Sequence, residues 1–255
     1  MQVSLFVTCL TDLFSPQVGM ATVRVLEHFG CAVDFPEGQT CCGQPQFNNG
    51  HHSGARTLGE RMIRVFEKST VVVTPSASCC AMIREHYPVL FKDDAKWESE
   101  AQALAAKTYE LVEFLTKVLK ADLSTLRLPE KTTVACHYTC HNRGLHQGRE
   151  VHARAAAALG AEVVPLEKGE QCCGFGGTFA VKYPEISGPL ALDKVACAER
   201  SGAEVLLVND AGCAMNMAGA AQRAAGARGN AKFKTRHIAE LMAEAIEARQ
   251  GGGAK

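Results

Sequence analysis

Cysteine is the residue type in this chain whose number and spacing can do chemistry. There are twelve, and eight fall into a pattern. Cys9 is followed after 31 residues by the adjacent pair Cys41 and Cys42, and after 36 more by Cys79. Cys140 is followed after 31 residues by Cys172 and Cys173, and after 39 more by Cys213. Adjacent cysteines meet disulfide geometry only with strain, so the pairs point to thiolates used as ligands. Four thiolates per copy suit a Cys₄ iron–sulfur cluster or a structural zinc. Zinc sites usually carry two close pairs on a small knuckle, whereas these ligands are spread over a segment long enough to form a sheet without a metal staple. The spacing therefore favours two iron–sulfur clusters, with zinc at one or both sites as the alternative. Of the four cysteines outside the pattern, Cys31, Cys136 and Cys197 read as small buried hydrophobes. Cys80, beside Cys79, is a candidate fifth ligand.

The text around the cysteines repeats as well. "VSLFVTC" parallels "TTVACHYTC", each an apolar strand running into a cysteine, and "VVVTPSASC" parallels "VLLVNDAGC". Between them, "ATVRVLEHFGCAVDFPEGQTCCG" parallels "ARAAAALGAEVVPLEKGEQCCG": a helix ending at glycine, a short strand, a loop and the pair. The chain is read as an internal duplication. Strands are expected near 3–8, 32–35 and 71–74, then near 132–137, 162–166 and 204–208. Helices are expected near 17–29, 52–68, 80–87 and 98–120, then near 147–159, 187–200, 214–225 and 235–249. Short Val-rich runs alternating with helical patterns predict parallel sheets built of βαβ units. The expected fold class is thus α/β, two tandem homologous domains, each a small parallel β-sheet flanked by helices. The domains are expected at 1–121 and 132–250, joined by a linker at 122–131 and followed by a tail at 251–255. Cys9, Cys79, Cys140 and Cys213 each follow the carboxyl end of a strand, where α/β sheets build their sites. Gly43 and Gly174 are expected to let the loop turn tightly, so that both thiols of a pair face one site.

Formal net charge is zero, so no basic face for nucleic acid is expected. No apolar run approaches the roughly 18 residues of a membrane span. The first residues, "MQVSLFVTCLTDLF", carry no Lys or Arg before their apolar part, so an export signal is not expected. Twelve cysteines in a reducing, cytoplasmic compartment mean metal or redox work before disulfides. "CHYTCH" has three residues between Cys136 and Cys140 and so fails the haem-attachment pattern. "GFGG" at 174–177 follows a cysteine pair instead of closing a strand–helix turn, so a dinucleotide site is not expected. His137 and His141 flank Cys140; they read as donors to a cluster sulfur or as exposed side chains. "HH" at 51–52 opens a helix and reads as surface, and "LVEFLTKVL" reads as a core face.

The doubled arrangement of cysteine, "CCG" and cysteine resembles the cysteine-rich CCG domain. That domain occurs in the cysteine-rich subunit of heterodisulfide reductase, in the iron–sulfur subunit of glycolate oxidase and in the lactate utilization protein A family. "CCGQPQFNNG", "CCGFGGTFAVK" and "NDAGCAMNM" are most similar to the last, and the resemblance spans nearly the whole chain. It implies an iron–sulfur, electron-transfer subunit of a cytosolic complex that oxidises L-lactate to pyruvate. Such a subunit works with a ferredoxin-type iron–sulfur subunit and a third subunit. The cluster ligands carry over onto Cys9, Cys41, Cys42, Cys79, Cys140, Cys172, Cys173 and Cys213. The chain departs from its heterodisulfide reductase relative, which ends each motif in C-x-x-C and holds noncubane clusters with five cysteines. Met82 and Asn216 stand at those later positions, so four-ligand [4Fe–4S] centres fit the count better. Three alternatives remain on this reading: a catalytic cluster of the heterodisulfide reductase kind, an iron–sulfur subunit of the glycolate oxidase type, and a zinc-stabilised interaction module.

Overall fold

The structure is a computed structural model, which describes residues 1–226 and 231–251. The expected tail, apart from residue 251, lies outside the described residues. The chain forms two compact units: residues 1–121 with 141–147, and residues 122–140 with 148–255.

In the first unit the elements run β1 (Gln2–Leu5), α1 (Cys9–Phe14), α2 (Pro16–His28), β2 (Ala32–Asp34), α3 (Gln44–Asn48), α4 (His52–Val65) and β3 (Val72–Thr74). They continue through α5 (Ala77–Ala81), a π-helical turn (Met82–His86), α6 (Tyr87–Leu90), α7 (Ala95–Ala106), β4 (Thr108–Glu110) and α8 (Leu111–Glu113). The sheet is entirely parallel, in the order β2-β1-β3-β4. Its central strands are buried on both faces: Val3, Val72, Val73 and Thr74 are all 0% exposed. That burial is why these strands read as continuous apolar runs. The edge strand β2 is mostly exposed and carries a weaker signal. Phe6, Phe66, Tyr87 and Phe91 fill the core beside the sheet.

The second unit repeats the plan. It has β5 (Thr133–Cys136), α9 (Val151–Ala158), β6 (Glu162–Val164), α10 (Phe179–Lys182) and α11 (Pro184–Ser201). Then follow β7 (Val205–Val208), α12 (Ala211–Ala225), β8 (Lys234–His237) and α13 (Ile238–Gly251). The order β6-β5-β7-β8 is again all parallel. Residues 122–131 run with this unit; Leu126 is fully buried and the Leu128 N–H donates to the Leu159 carbonyl at 2.9 Å.

The α/β class holds, and each sheet has one strand more than the three expected. β4 interrupts the helix expected over 98–120, and β8 takes the start of the one expected over 235–249. Their sequences, "TYE" and "KTRH", carry no apolar run. What makes them strands is the partner: β3 and β7 are buried, and their outer backbone groups need hydrogen bonds. The Val72 N–H reaches the Lys107 carbonyl at 2.8 Å, and the Lys234 N–H reaches the Glu204 carbonyl at 2.8 Å. Short helices α1, α3 and α6 are further additions to the expected set.

In both sheets the chain leaves the first strand for the second on one side and then crosses to the third on the other. The crevice at the carboxyl ends of β1 and β3, and of β5 and β7, is therefore a topological switch point. It is the place where Cys9 and Cys79, and Cys140 and Cys213, emerge.

Candidate metal centres

Cys9 opens α1, whose N-cap is Thr8, and Cys79 lies in the first turn of α5, capped by Ser76, whose hydroxyl accepts from the Cys79 N–H at 3.3 Å. Cys41 and Cys42 sit between β2 and α3, and Gly43 follows with φ +86°. In that left-handed turn an added Cβ would come within 3.2 Å of the Ala55 carbonyl. The turn folds the pair back onto the strand ends. Cys42 Sγ lies 3.3 Å from Cys79 Sγ, while Cys41 Sγ is hydrogen-bonded to both Cys42 and Cys9. The four thiols form one connected set. Cys42 and Cys79 are buried, Cys41 is half-buried and Cys9 is exposed.

The second copy has the same design. Cys173 Sγ lies 3.2 Å from Cys213 Sγ, and Cys172 is hydrogen-bonded to Cys140 and Cys173. Gly174, at φ +84°, donates its N–H to Cys172 Sγ at 3.3 Å. Asp210 caps α12, its carboxylate accepting from the Gly212 N–H at 3.2 Å. Cys173 and Cys213 are buried, Cys140 is half-buried and Cys172 is exposed. The eight cysteines of the sequence pattern thus stand in two sets of four.

Each set favours one thiolate. Hydrogen bonds from Cys42 and Cys9, with the Gly43 N–H, hold Cys41 down to about 3. Those from Cys140 and Cys173, with the Gly174 N–H, hold Cys172 down to about 2. Their donors stay protonated. Cys9 is raised by its bond to Cys41 and by burial, and Cys140 likewise by its bond to Cys172. Cys42 and Cys173 are raised by the thiol neighbours on either side and by burial. Cys213 is drawn down by Cys173 yet raised overall by burial and by the Asp210 carboxylate. A set of thiols gathered around one thiolate is a ligand set waiting to lose protons to a metal.

The remaining cysteines do something else. Cys80 packs with Ala77, Ala81 and Leu145, a cluster separate from the one that includes Cys42 and Cys79, and burial pushes its thiol well up. Cys31 and Cys197 are buried. Cys136, at the end of β5, is pushed up to about 12 by burial.

Other residues joined the sites without a clear signal in the sequence. The Tyr87 hydroxyl donates to the Cys42 carbonyl at 2.7 Å, and the Asn216 amide donates to the Cys173 carbonyl at 2.8 Å. Asn216 therefore braces the ligand loop from the position where the noncubane relatives carry a cysteine. Met82, its counterpart, is fully buried in the core. Lys194 is fully buried and donates to the Lys168 carbonyl; burial lowers its pKa, and the Cys197 and Cys173 thiols oppose that shift. His137 is 3% exposed, so the exposed alternative is corrected. Its ring nitrogen lies within 4.8 Å of Cys173 Sγ and Cys213 Sγ, a trio able to hold a metal ion. Burial, then the Lys194 ammonium, bring its pKa down to about 4. His141 lies in the first unit, its Nε2 3.0 Å from Gln44 Nε2.

The cysteine-rich CCG domain matches this chain twice, over residues 3–84 and 134–218. Lactate utilization protein A of Bacillus velezensis is 48% identical over 243 residues, covering 95% of this chain and 99% of the relative. The chain belongs to the lactate utilization protein A family. The family member from Macrococcus caseolyticus is 45% identical over 249 residues, 97% of this chain and 98% of its own length. That from Bacillus subtilis is 46% identical over 243 residues, 95% and 99% respectively. Both family domains contain one complete thiol set.

The donor chemistry fits the iron–sulfur group that the family resemblance implies. Each set offers four soft sulfur donors, with backbone N–H groups from a glycine turn beside them. Among the described residues no helix is long and apolar enough to cross a membrane.

Proposed function

We propose that this protein is a cytoplasmic iron–sulfur electron-carrying subunit of a system that oxidises L-lactate to pyruvate. The observation that carries it is the gathering of four thiols at the same switch point in both copies, in a member of the lactate utilization protein A family. Cys9, Cys41, Cys42 and Cys79 would hold one cluster, and Cys140, Cys172, Cys173 and Cys213 the other. Such clusters supply one-electron transfer. The protein's part is to lend thiolates, to keep them in place through the Tyr87 and Asn216 bonds, and to exclude water from Cys42, Cys79, Cys173 and Cys213. Removing hydride from a 2-hydroxy acid calls for a flavin or nicotinamide. That task is assigned to partner subunits, one of them of the ferredoxin type. Disulfide cleavage at a five-cysteine cluster is disfavoured by Met82 and Asn216.

The test is anaerobic purification followed by iron, zinc and acid-labile sulfide analysis and EPR of the reduced protein. Two distinct centres are expected. Cys41→Ser should remove one and leave the other, and Cys172→Ser should do the reverse. Zinc without iron or sulfide would refute the reading.

A further inference from the structure

The two thiol sets are alike, but one side chain beside them is not. His137 stands three residues before Cys140, and Phe6 stands three residues before Cys9. The backbone treats them identically. The His137 N–H donates to the Leu207 carbonyl at 2.9 Å, and the Phe6 N–H donates to the Val73 carbonyl at 2.9 Å. Leu207 and Val73 lie at matching places on β7 and β3, so both side chains leave the sheet at equivalent points. Phe6 is fully buried against Phe66, ring centroids 5.8 Å apart, in the cluster that includes Cys42 and Cys79. The second copy puts an imidazole in that apolar place.

A buried imidazole needs partners, since a polar group left unpaired in the interior has lost its bonds to water and gained nothing in return. His137 is 3% exposed, and neither Nδ1 nor Nε2 has a hydrogen-bond partner among the described residues. The Gly169 carbonyl comes near the ring, but it takes the Tyr138 N–H at 3.2 Å and meets hydrogen-bond geometry with neither ring nitrogen. What the ring does approach is sulfur, with Cys173 and Cys213 Sγ both within 4.8 Å. An imidazole carries at least one N–H in either protonation state. The four thiols already complete a tetrathiolate ligand count, so the role left for the ring is that of donor.

We propose that His137 donates its ring N–H to sulfur at the second thiol set, where it raises the reduction potential of the group held there. The inference rests on the iron–sulfur reading above. A donor to a thiolate or sulfide sulfur disperses negative charge and stabilises the more reduced, more negative state. Phe6 offers no such donor, so the duplicated sites share ligands and differ in electronics. Asp210 acts in the opposite sense near Cys140 and Cys213, so the effect of His137 is read by substitution within its own site. His137 is a positioning residue, not a ligand.

The experiment uses the full chain, purified anaerobically and reduced, with pulsed EPR before and after exchange into D₂O and a redox titration. Beyond the backbone N–H couplings that both centres share, wild type should show one further weak ¹⁴N coupling and one further exchangeable proton coupling at one of the two centres. His137→Phe, which copies the first site, should keep iron and sulfide, lose both couplings and shift one midpoint to more negative potential. His137→Gln, which retains an N–H, should recover most of the shift. If His137→Phe binds no cluster, the wild-type couplings and the glutamine variant decide the matter. Iron and sulfide at wild-type levels with couplings and both midpoints unchanged would overturn the role of His137 alone. A ¹⁴N coupling as strong as direct ligation would overturn it in favour of an iron ligand. Absence of iron and sulfide from the wild type would overturn the underlying reading instead, and this inference with it.

Discussion

The Tyr87 hydroxyl donates to the Cys42 carbonyl at 2.7 Å, tying the core of the first unit to the middle of its ligand pair. Tyr87 is fully buried and packs edge-on against Phe91. Tyr87→Phe keeps the ring and removes the donor, leaving a buried carbonyl unpaired at a cost of about 1–3 kcal/mol. Asn216 performs the same service for Cys173 from a half-buried position. Asn216→Ala should therefore cost less than Tyr87→Phe. Chemical denaturation of the two variants checks the order; equal losses, or none, would contradict it.

The glycine turns should be unequal too. Alanine at either position costs about 1–2 kcal/mol for the left-handed backbone. At Gly43 the new Cβ would meet the Ala55 carbonyl at 3.2 Å, and at Gly174 it would meet the Ser187 carbonyl at 2.6 Å. The latter forces the backbone of α11 to move. Gly174→Ala is expected to lower stability and iron content at the second site more than Gly43→Ala does at the first. Metal analysis alongside thermal melts would show it.

Cys80 is adjacent to Cys79 yet packs among Ala77, Ala81 and Leu145. Burial keeps its thiol protonated. Cys80→Ala should cost about 1 kcal/mol in lost apolar contact and leave bound iron and EPR signals at wild-type levels. Loss of a centre would restore Cys80 as a fifth ligand.

His86 packs on the Phe47 ring, centroids 4.7 Å apart. Its pKa is lowered from 6.5 by burial first, with Glu85 opposing and His141 adding to the shift. The unfolded chain then takes up this proton before the folded one does. Stability from this group is complete above about pH 6.5 and declines as pH falls toward the lower folded value. His86→Gln should flatten the slope of unfolding free energy against pH below 6.5, measured by denaturant titration. An unchanged slope would remove His86 as its source.

Much of the fold was legible because its signals are local. β1, β3, β5 and β7 are buried on both faces, so each is written as an apolar run. β4 and β8 were hidden because "TYE" and "KTRH" are strands only by virtue of the buried edge they complete. The thiol sets were legible through a repeat, since copied spacing is visible without knowing the path between cysteines. Tyr87 and Asn216 left no such trace. Each acts on its site through a contact across the fold that no spacing rule encodes.

By itself, then, the sequence determined that eight cysteines form two matched sets at strand ends, because covalent order and periodicity carry that information directly. Only the tertiary structure decided which neighbours complete each set. Phe6 and His137 occupy equivalent places on their sheets, and nothing in either local sequence says what the side chain faces. That is settled by close packing, which closes one ring into an apolar core and leaves the other beside two thiols with both nitrogens unpartnered.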